Sequence, residues 1–133
     1  MNSSTNFTGN LTRDPELKFL DGGAAVARFT VAVSEKRKDR NGVETETTSF
    51  FDCDAIGTIA ENVASSLKKG DRVVVTGNLK QRSWDDKDGN KRSAIELKVE
   101  SVGPDLRFAV AVPARKTTTN DSYKNFSTPE DAF

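Results

Sequence analysis

The sequence predicts an all-β domain closed into a small barrel. Three observations carry this: apolar residues recur with a period of two over most of the chain, turn-forming dipeptides separate these runs, and only one stretch has helical spacing. Phe7 to Leu11 and Glu16 to Phe19 read as a first strand broken near Asp14-Pro15. Ala27, Phe29, Val31 and Val33 alternate with Arg28, Thr30 and Ala32, the pattern of a strand with one buried face. Residues 50–56 form a third strand, with Phe51, Cys53 and Ala55 toward the core and Phe50, Asp52, Asp54 and Ile56 away from it.

Thr58–Lys69 breaks the alternation. Ile59, Val63 and Leu67 recur every four residues, which predicts a helix. Thr58 and Glu61 have capping-box spacing, Lys68 and Lys69 suit a helix C-terminus, and Gly70 can end it. Residues 72–84 return to alternation, with Val73, Val75, Gly77 and Leu79 on the core side; a long hairpin over 85–92 follows, then Ile95, Leu97 and Val99. Leu106, Phe108, Val110 and Val112 predict a last short strand after Gly103-Pro104. Asp21-Gly22-Gly23, Asn41-Gly42 and Asp88-Gly89-Asn90 supply the hairpin turns. Strands with a single helix before the fourth long one, then a long hairpin, fit a five-stranded Greek-key barrel of OB type. Residues 1–113 are read as this domain. From residue 114 onward Thr, Ser and Asn dominate without periodicity, so 114–133 is read as a flexible polar tail.

Composition narrows the chemistry. There is no histidine and one cysteine among 133 residues. The usual zinc sites and histidine acid/base catalysis lose their main component, and an intramolecular disulfide is excluded. No phosphate-cradling glycine motif and no catalytic constellation emerge, and Asp52 with Asp54 is a thin donor set for a hard metal. A non-enzymatic protein without cofactor or metal is expected. Met1–Thr5 is polar and lacks a leader pattern, and no apolar run approaches the ~18 residues of a membrane span, so a cytoplasmic location is expected.

Charge does not announce a polyanion partner. Lys and Arg total 20, as do Asp and Glu. The tail takes three of each sign (Arg115, Lys116 and Lys124 against Asp121, Glu130 and Asp131), so the domain is balanced too, at 17 and 17. Any electrostatic binding depends on where the charges lie.

One row of side chains is suggestive. If the pleat continues past Leu79, then Asn78, Lys80, Arg82 and Trp84 all point away from the core and lead into a hairpin carrying Lys87, Lys91 and Arg92. Cations beside an aromatic suit a groove that follows a phosphate backbone while bases stack on π-faces. A tryptophan capping the barrel edge, with charges that merely solvate a hairpin, fits the same spacing. Phe50 is a second candidate platform. Lys36, Arg37, Lys38 and Arg40 cluster in the loop after the second strand, and Arg28, Arg13 and Lys18 could extend a basic path, with Phe19 as a further aromatic. Asp52 and Asp54 would repel phosphate unless paired, for instance with Arg28. Cys53 reads as a packed core residue.

These residues bring a family into view. Gly9-Asn10-Leu11 with Asp14-Pro15-Glu16, Gly23–Ala27 leading into Phe29–Ala32, Ala60–Val63 through Lys69-Gly70, and Val75–Trp84 resemble, in order, four stretches of bacterial and phage single-stranded DNA-binding proteins. The likeness covers roughly residues 5–112. It implies a homotetramer that wraps single-stranded DNA, with Trp84 and Phe50 at stacking positions and no cofactor. Arg37 and Ile56 stand where many members have aromatics, which implies greater reliance on phosphate contacts and hence on low salt. Phe51 stands where the family often has a histidine. The family's acidic C-terminal tip, which recruits replication and repair proteins, has a reduced counterpart in Glu130, Asp131 and Phe133. A second reading is a protein-interaction module on the same barrel, comparable to primosomal OB proteins; the zero net charge and Asp52/Asp54 favour it.

Overall fold

The structure, a computed structural model, describes residues 4–116. Six strands and one helix follow in the order β1 (Ser4–Leu11), β2 (Glu16–Phe19), β3 (Ala25–Lys38), β4 (Glu44–Ile56), α1 (Thr58–Ser66), β5 (Arg72–Asp85) and β6 (Lys91–Pro104). β1 pairs with β5, β5 with β6, β6 with β4 and β4 with β3. The end of β1 pairs back onto β3, Leu11 opposite Val31, and so closes the ring. β2 continues the same lane, Glu16 opposite Arg28 through Phe19 opposite Ala25. The broken first strand is therefore one lane of a five-lane OB barrel, and β4–β6 is its parallel seam.

The core collects the inward-facing residues of every lane. Leu11, Ala27, Phe29, Val31, Cys53, Ala55, Val73, Val75 and Leu97 are all buried, and Ala60, Val63 and Leu67 pack onto them from the helix side. The strand residues among them are inward positions that the period-two pattern marks; Phe51, Leu79 and Ile95, which the same alternation turns inward, stay exposed. At Gly77 the barrel bends: the register between β5 and β6 shifts after Thr76, and a Cβ on Gly77 would run into the Lys98 carbonyl. A backbone approach this close admits only glycine.

Three expectations need correction. Leu106–Val112 is not a strand. Both edges of β5 are already taken by β1 and β6, so the segment finds no free lane beside its neighbours. It instead turns at Asp105, whose carboxylate accepts from the Arg72 Nε at 2.7 Å and the Arg107 amide at 3.0 Å. Leu106, Phe108, Val110 and Val112 stay exposed.

The helix is also shorter than its periodicity suggested. It starts after Gly57 (φ 86°) with no side-chain cap, so Thr58 and Glu61 form no capping box, and it stops at Leu67, which is extended. Carboxylates satisfy the exit turn: Asp71 accepts from the Lys68 amide and Asp14 from the Lys69 amide.

Finally, Lys36, Arg37 and Lys38 do not lie in a loop. They belong to β3, paired with Glu46, Thr45 and Glu44, and only residues 39–43 turn.

Candidate nucleic-acid interface

Two long hairpins, β3–β4 and β5–β6, extend from the barrel and are built alike. In the first turn Asp39 Oδ1 accepts from the Asn41 and Val43 amides; in the second Asp86 Oδ1 accepts from the Asp88 and Asn90 amides. The shared Asp-x-x-Gly at 39–42 and 86–89 is the sequence signal for this turn. Asn41-Gly42 and Asp88-Gly89-Asn90 mark the turns in the linear pattern; Asp39 and Asp86, three positions before the glycines, are what hold them.

Between the hairpins the barrel presents an open wall of four strands. Directly opposed residues share a face, so the register defines it. Thr30, Asp52, Glu96 and Lys80 form one row across β3, β4, β6 and β5; Arg28, Asp54, Lys98 and Asn78 form the next. Toward the hairpin ends the same face carries Phe50 opposite Ala32, Arg82 opposite Ala94, and Trp84 opposite Arg92. Phe50 is 65% exposed and Trp84 40% exposed, so both rings are open to solvent. Trp84 lies in the hairpin arm and does not cap the barrel.

This wall brings together Phe50, Lys80, Arg82, Trp84, Arg28 and Arg92. Lys36 and Lys38 share its side of β3, each directly opposite a glutamate, whereas Arg37 falls on the other side by the pleat. Lys91, opposite Asp85, is likewise off the face, and Lys87 sits in the turn. Arg40 is in the other turn. Lys18 is held by Glu16 at 3.4 Å, and Phe19 lies opposite Ala25, out of line with the wall. Glu130, Asp131 and Phe133 lie outside the described residues.

Carboxylates thread through the basic groups. Arg28 Nε meets Asp54 Oδ1 at 3.1 Å, and Arg82 Nε donates to Glu96 Oε1 at 3.1 Å. The Arg82 guanidinium also lies over the Trp84 ring, 4.6 Å from its centroid, a cation–π contact. Asp54 and Glu96 touch: burial and the neighbouring Glu96 push the Asp54 carboxyl up to about 6, despite Arg28 and Arg82. Glu96 is correspondingly lowered, first by the hydrogen bond from Asp54. Asp52 accepts from the Thr30 hydroxyl at 2.8 Å and makes no ion pair among the described residues. The groove over this network has a volume of about 450 Å³, lined by Arg28, Asp54, Ile56, Lys80, Arg82, Glu96 and Lys98; Arg13 joins the same charged groups in a smaller pocket beside it. Glu96 and Lys98 escaped the sequence reading because their alternation with Ile95 and Leu97 marks only an outward face, and the parallel β4–β6 seam that seats them is non-local.

Cys53 is buried, and desolvation, followed by Asp52 and Asp54, pushes its thiol up to about 12. A thiol so hard to ionise is a poor nucleophile. No group of three or more Cys, Asp or Glu among the described residues is placed to hold a metal ion, and no described helix is long and apolar enough to cross a membrane.

The barrel and its open wall, flanked by two hairpin arms, define an OB-fold protein with an extended rather than enclosed site. Residues 2–105 match the Single-strand binding protein family. A single-stranded DNA-binding protein of Mycolicibacterium smegmatis is 50% identical over 105 residues, 77% of this chain and 64% of that protein. One of Mycobacterium bovis is 44% identical over 126 residues, 93% of this chain and 76% of that protein. The chain thus spans just under two thirds of the length of the first and about three quarters of the second. Among solved structures, the small single-stranded DNA-binding protein of Streptomyces coelicolor superposes with a TM-score of 0.66 at 33% identity, covering 79% of this chain and 95% of that one. A Plasmodium falciparum SSB in complex with ssDNA gives 0.72 at 25% identity, covering 78% and 94%. The chain belongs to the single-strand binding protein family.

Proposed function

We propose that this protein binds single-stranded DNA without reading its sequence and shields it during replication, recombination and repair. One observation carries the reading: Trp84, Arg82, Lys80 and Phe50 share one open wall of an OB barrel, aromatic faces beside cations. Bases stack on Trp84 and Phe50, while Lys80, Arg28, Arg92 and the hairpin lysines Lys36, Lys38 and Lys87 follow the phosphates. Such contacts involve ring faces and backbone charges common to all four nucleotides, which is why sequence is not read.

The working unit in this reading is a homo-oligomer, a tetramer. Apolar side chains left open by the single chain support it: Phe51 stacks on Phe7 at 4.9 Å yet remains 39% exposed, and Leu79 and Ile95 are exposed on the opposite face of the β5–β6 arm from Trp84. The cytoplasm is the compartment where such DNA is met. Glu130, Asp131 and Phe133 would recruit replication and repair proteins, the ring of Phe133 entering an apolar pocket and the carboxylates meeting basic residues.

The test is a fluorescence titration with oligo-dT. Binding is expected to quench Trp84, and affinity to fall as salt rises. Replacing both Trp84 and Phe50 with Ala is expected to cost about 2–6 kcal/mol, the sum of two stacked bases. A double variant that binds as tightly as the parent removes the proposed platforms. A parent that forms no complex at low salt would favour the protein-interaction module, the reading that the zero net charge and Asp52/Asp54 otherwise support.

A further inference from the structure

The carboxylates on the wall hold arginines that a phosphate backbone would otherwise contact. Four strands contribute to one chain of contacts: Arg28 on β3 to Asp54 on β4, Asp54 to Glu96 on β6, Glu96 to Arg82 on β5, and Arg82 onto the Trp84 ring. A carboxylate offers a guanidinium a pair of anionic acceptor oxygens, as a phosphate does. In the free protein, Arg28 and Arg82 are already taken, and one face of the indole carries a guanidinium.

We propose that Asp54 and Glu96 are positioning residues that occupy Arg28 and Arg82 as an internal substitute for phosphate, so that DNA must displace them to gain both arginines and the covered face of Trp84. This rests on the reading of the wall as a single-stranded DNA site. The arginine side chains are 54% and 50% exposed and their carboxylate partners 20% and 16%, so solvent screens the arginine end of each pair and the effect is one of modest tuning.

A proton can do part of the displacing. Asp54 faces Arg28 from β3, Glu96 and Lys98 from β6, and Arg82 and Lys80 from β5, with Asp52 beside it on β4 and Arg13 nearby. With its value near 6, Asp54 loses its charge, and its hold on Arg28, as pH falls through that point. A phosphate alongside disfavours the ionised carboxyl further, so binding takes up a proton and affinity rises on acidification.

The experiment is anisotropy of a fluorescein-labelled oligo-dT with the full chain and its D54N, E96Q and D52N variants. The pH values are about 5 and about 7.5, which bracket the Asp54 value. At the higher pH, D54N and E96Q are expected to bind roughly two- to fivefold tighter than the parent, the range of an exposed ion pair. D52N, which removes the same charge from the same wall but no arginine partner, is expected to gain less. The parent is expected to tighten at the lower pH and D54N to lose that response. All three substitutions are near-isosteric, and if one of D54N and E96Q does not fold, the other decides. Unchanged or weaker binding by the folded variants overturns the inference alone. So does a D52N gain equal to theirs, since bulk charge would then suffice. A parent that binds at neither pH overturns both the inference and the functional reading beneath it.

Discussion

Three residues illustrate how different forces decide a side chain's role here. Cys53 lies in the core between two outward aspartates, and burial with those charges keeps it a thiol, so its role is packing. Trp84 is half open because its strand has already left the barrel, and the guanidinium over its ring, that of Arg82, is itself shared with Glu96. Gly77 is constrained by what it lacks: a Cβ there has nowhere to go except into the Lys98 carbonyl across the bulge. Backbone cannot give way as a side-chain tip can. Gly77→Ala is therefore expected to destabilise the fold by about 1–3 kcal/mol, the cost of overpacking. Urea denaturation checks it, as a lower midpoint at unchanged slope; an unaltered midpoint means that the bulge relaxes freely.

At the level of elements, the β3–β4 hairpin shows why composition alone misleads. Lys36, Arg37 and Lys38 look like a basic loop in the sequence, but as strand residues they alternate sides, and each lysine faces a glutamate. The two lysines lie on the wall with Phe50; the arginine does not. Neutralising Lys36 and Lys38 to Gln is expected to flatten the dependence of log K on log salt by up to about 1.4, roughly 0.7 for each phosphate of a single strand that is no longer neutralised. Arg37→Gln is expected to leave the slope close to that of the parent. Titrations at several salt concentrations measure both, and equal slopes for the two variants would show that the arm twists enough to erase the distinction between its sides.

For the whole molecule, ring closure explains both what is buried and what is left open. The β1–β3 and β4–β6 pairings use up every lane of the barrel, so Leu106–Val112 lies outside it and the hairpin arms protrude with apolar as well as charged faces. Surfaces like Phe51, Leu79 and Ile95 gain by meeting another copy. Light scattering on the full chain is expected to return about four times the 14.5 kDa chain mass without DNA, and that mass plus the bound DNA when DNA is present. A monomer mass in both conditions removes the tetramer.

The barrel portions of the strands, the helix, the turn dipeptides and the outward row of Lys80, Arg82 and Trp84 were legible in the linear sequence, because pleat, helical repeat and turn chemistry act over a few neighbouring residues; the extension of β3 and β4 into a long arm was not. The same local logic overreached at both ends of its range. It extended the helix to Lys69, where Asp14 and Asp71 capture the amides that the helix would have used, and it made a strand of 106–112, which had the right alternation but no edge to join. Only the tertiary structure decided that Arg28, Asp54, Glu96, Arg82 and Trp84 form one connected series. Those five come from four strands, and the seam between β4 and β6 joins residues more than forty positions apart. Alternation tells each strand which side is out; which strands lie side by side is set by closure of the barrel around a common core, a property of all the lanes together.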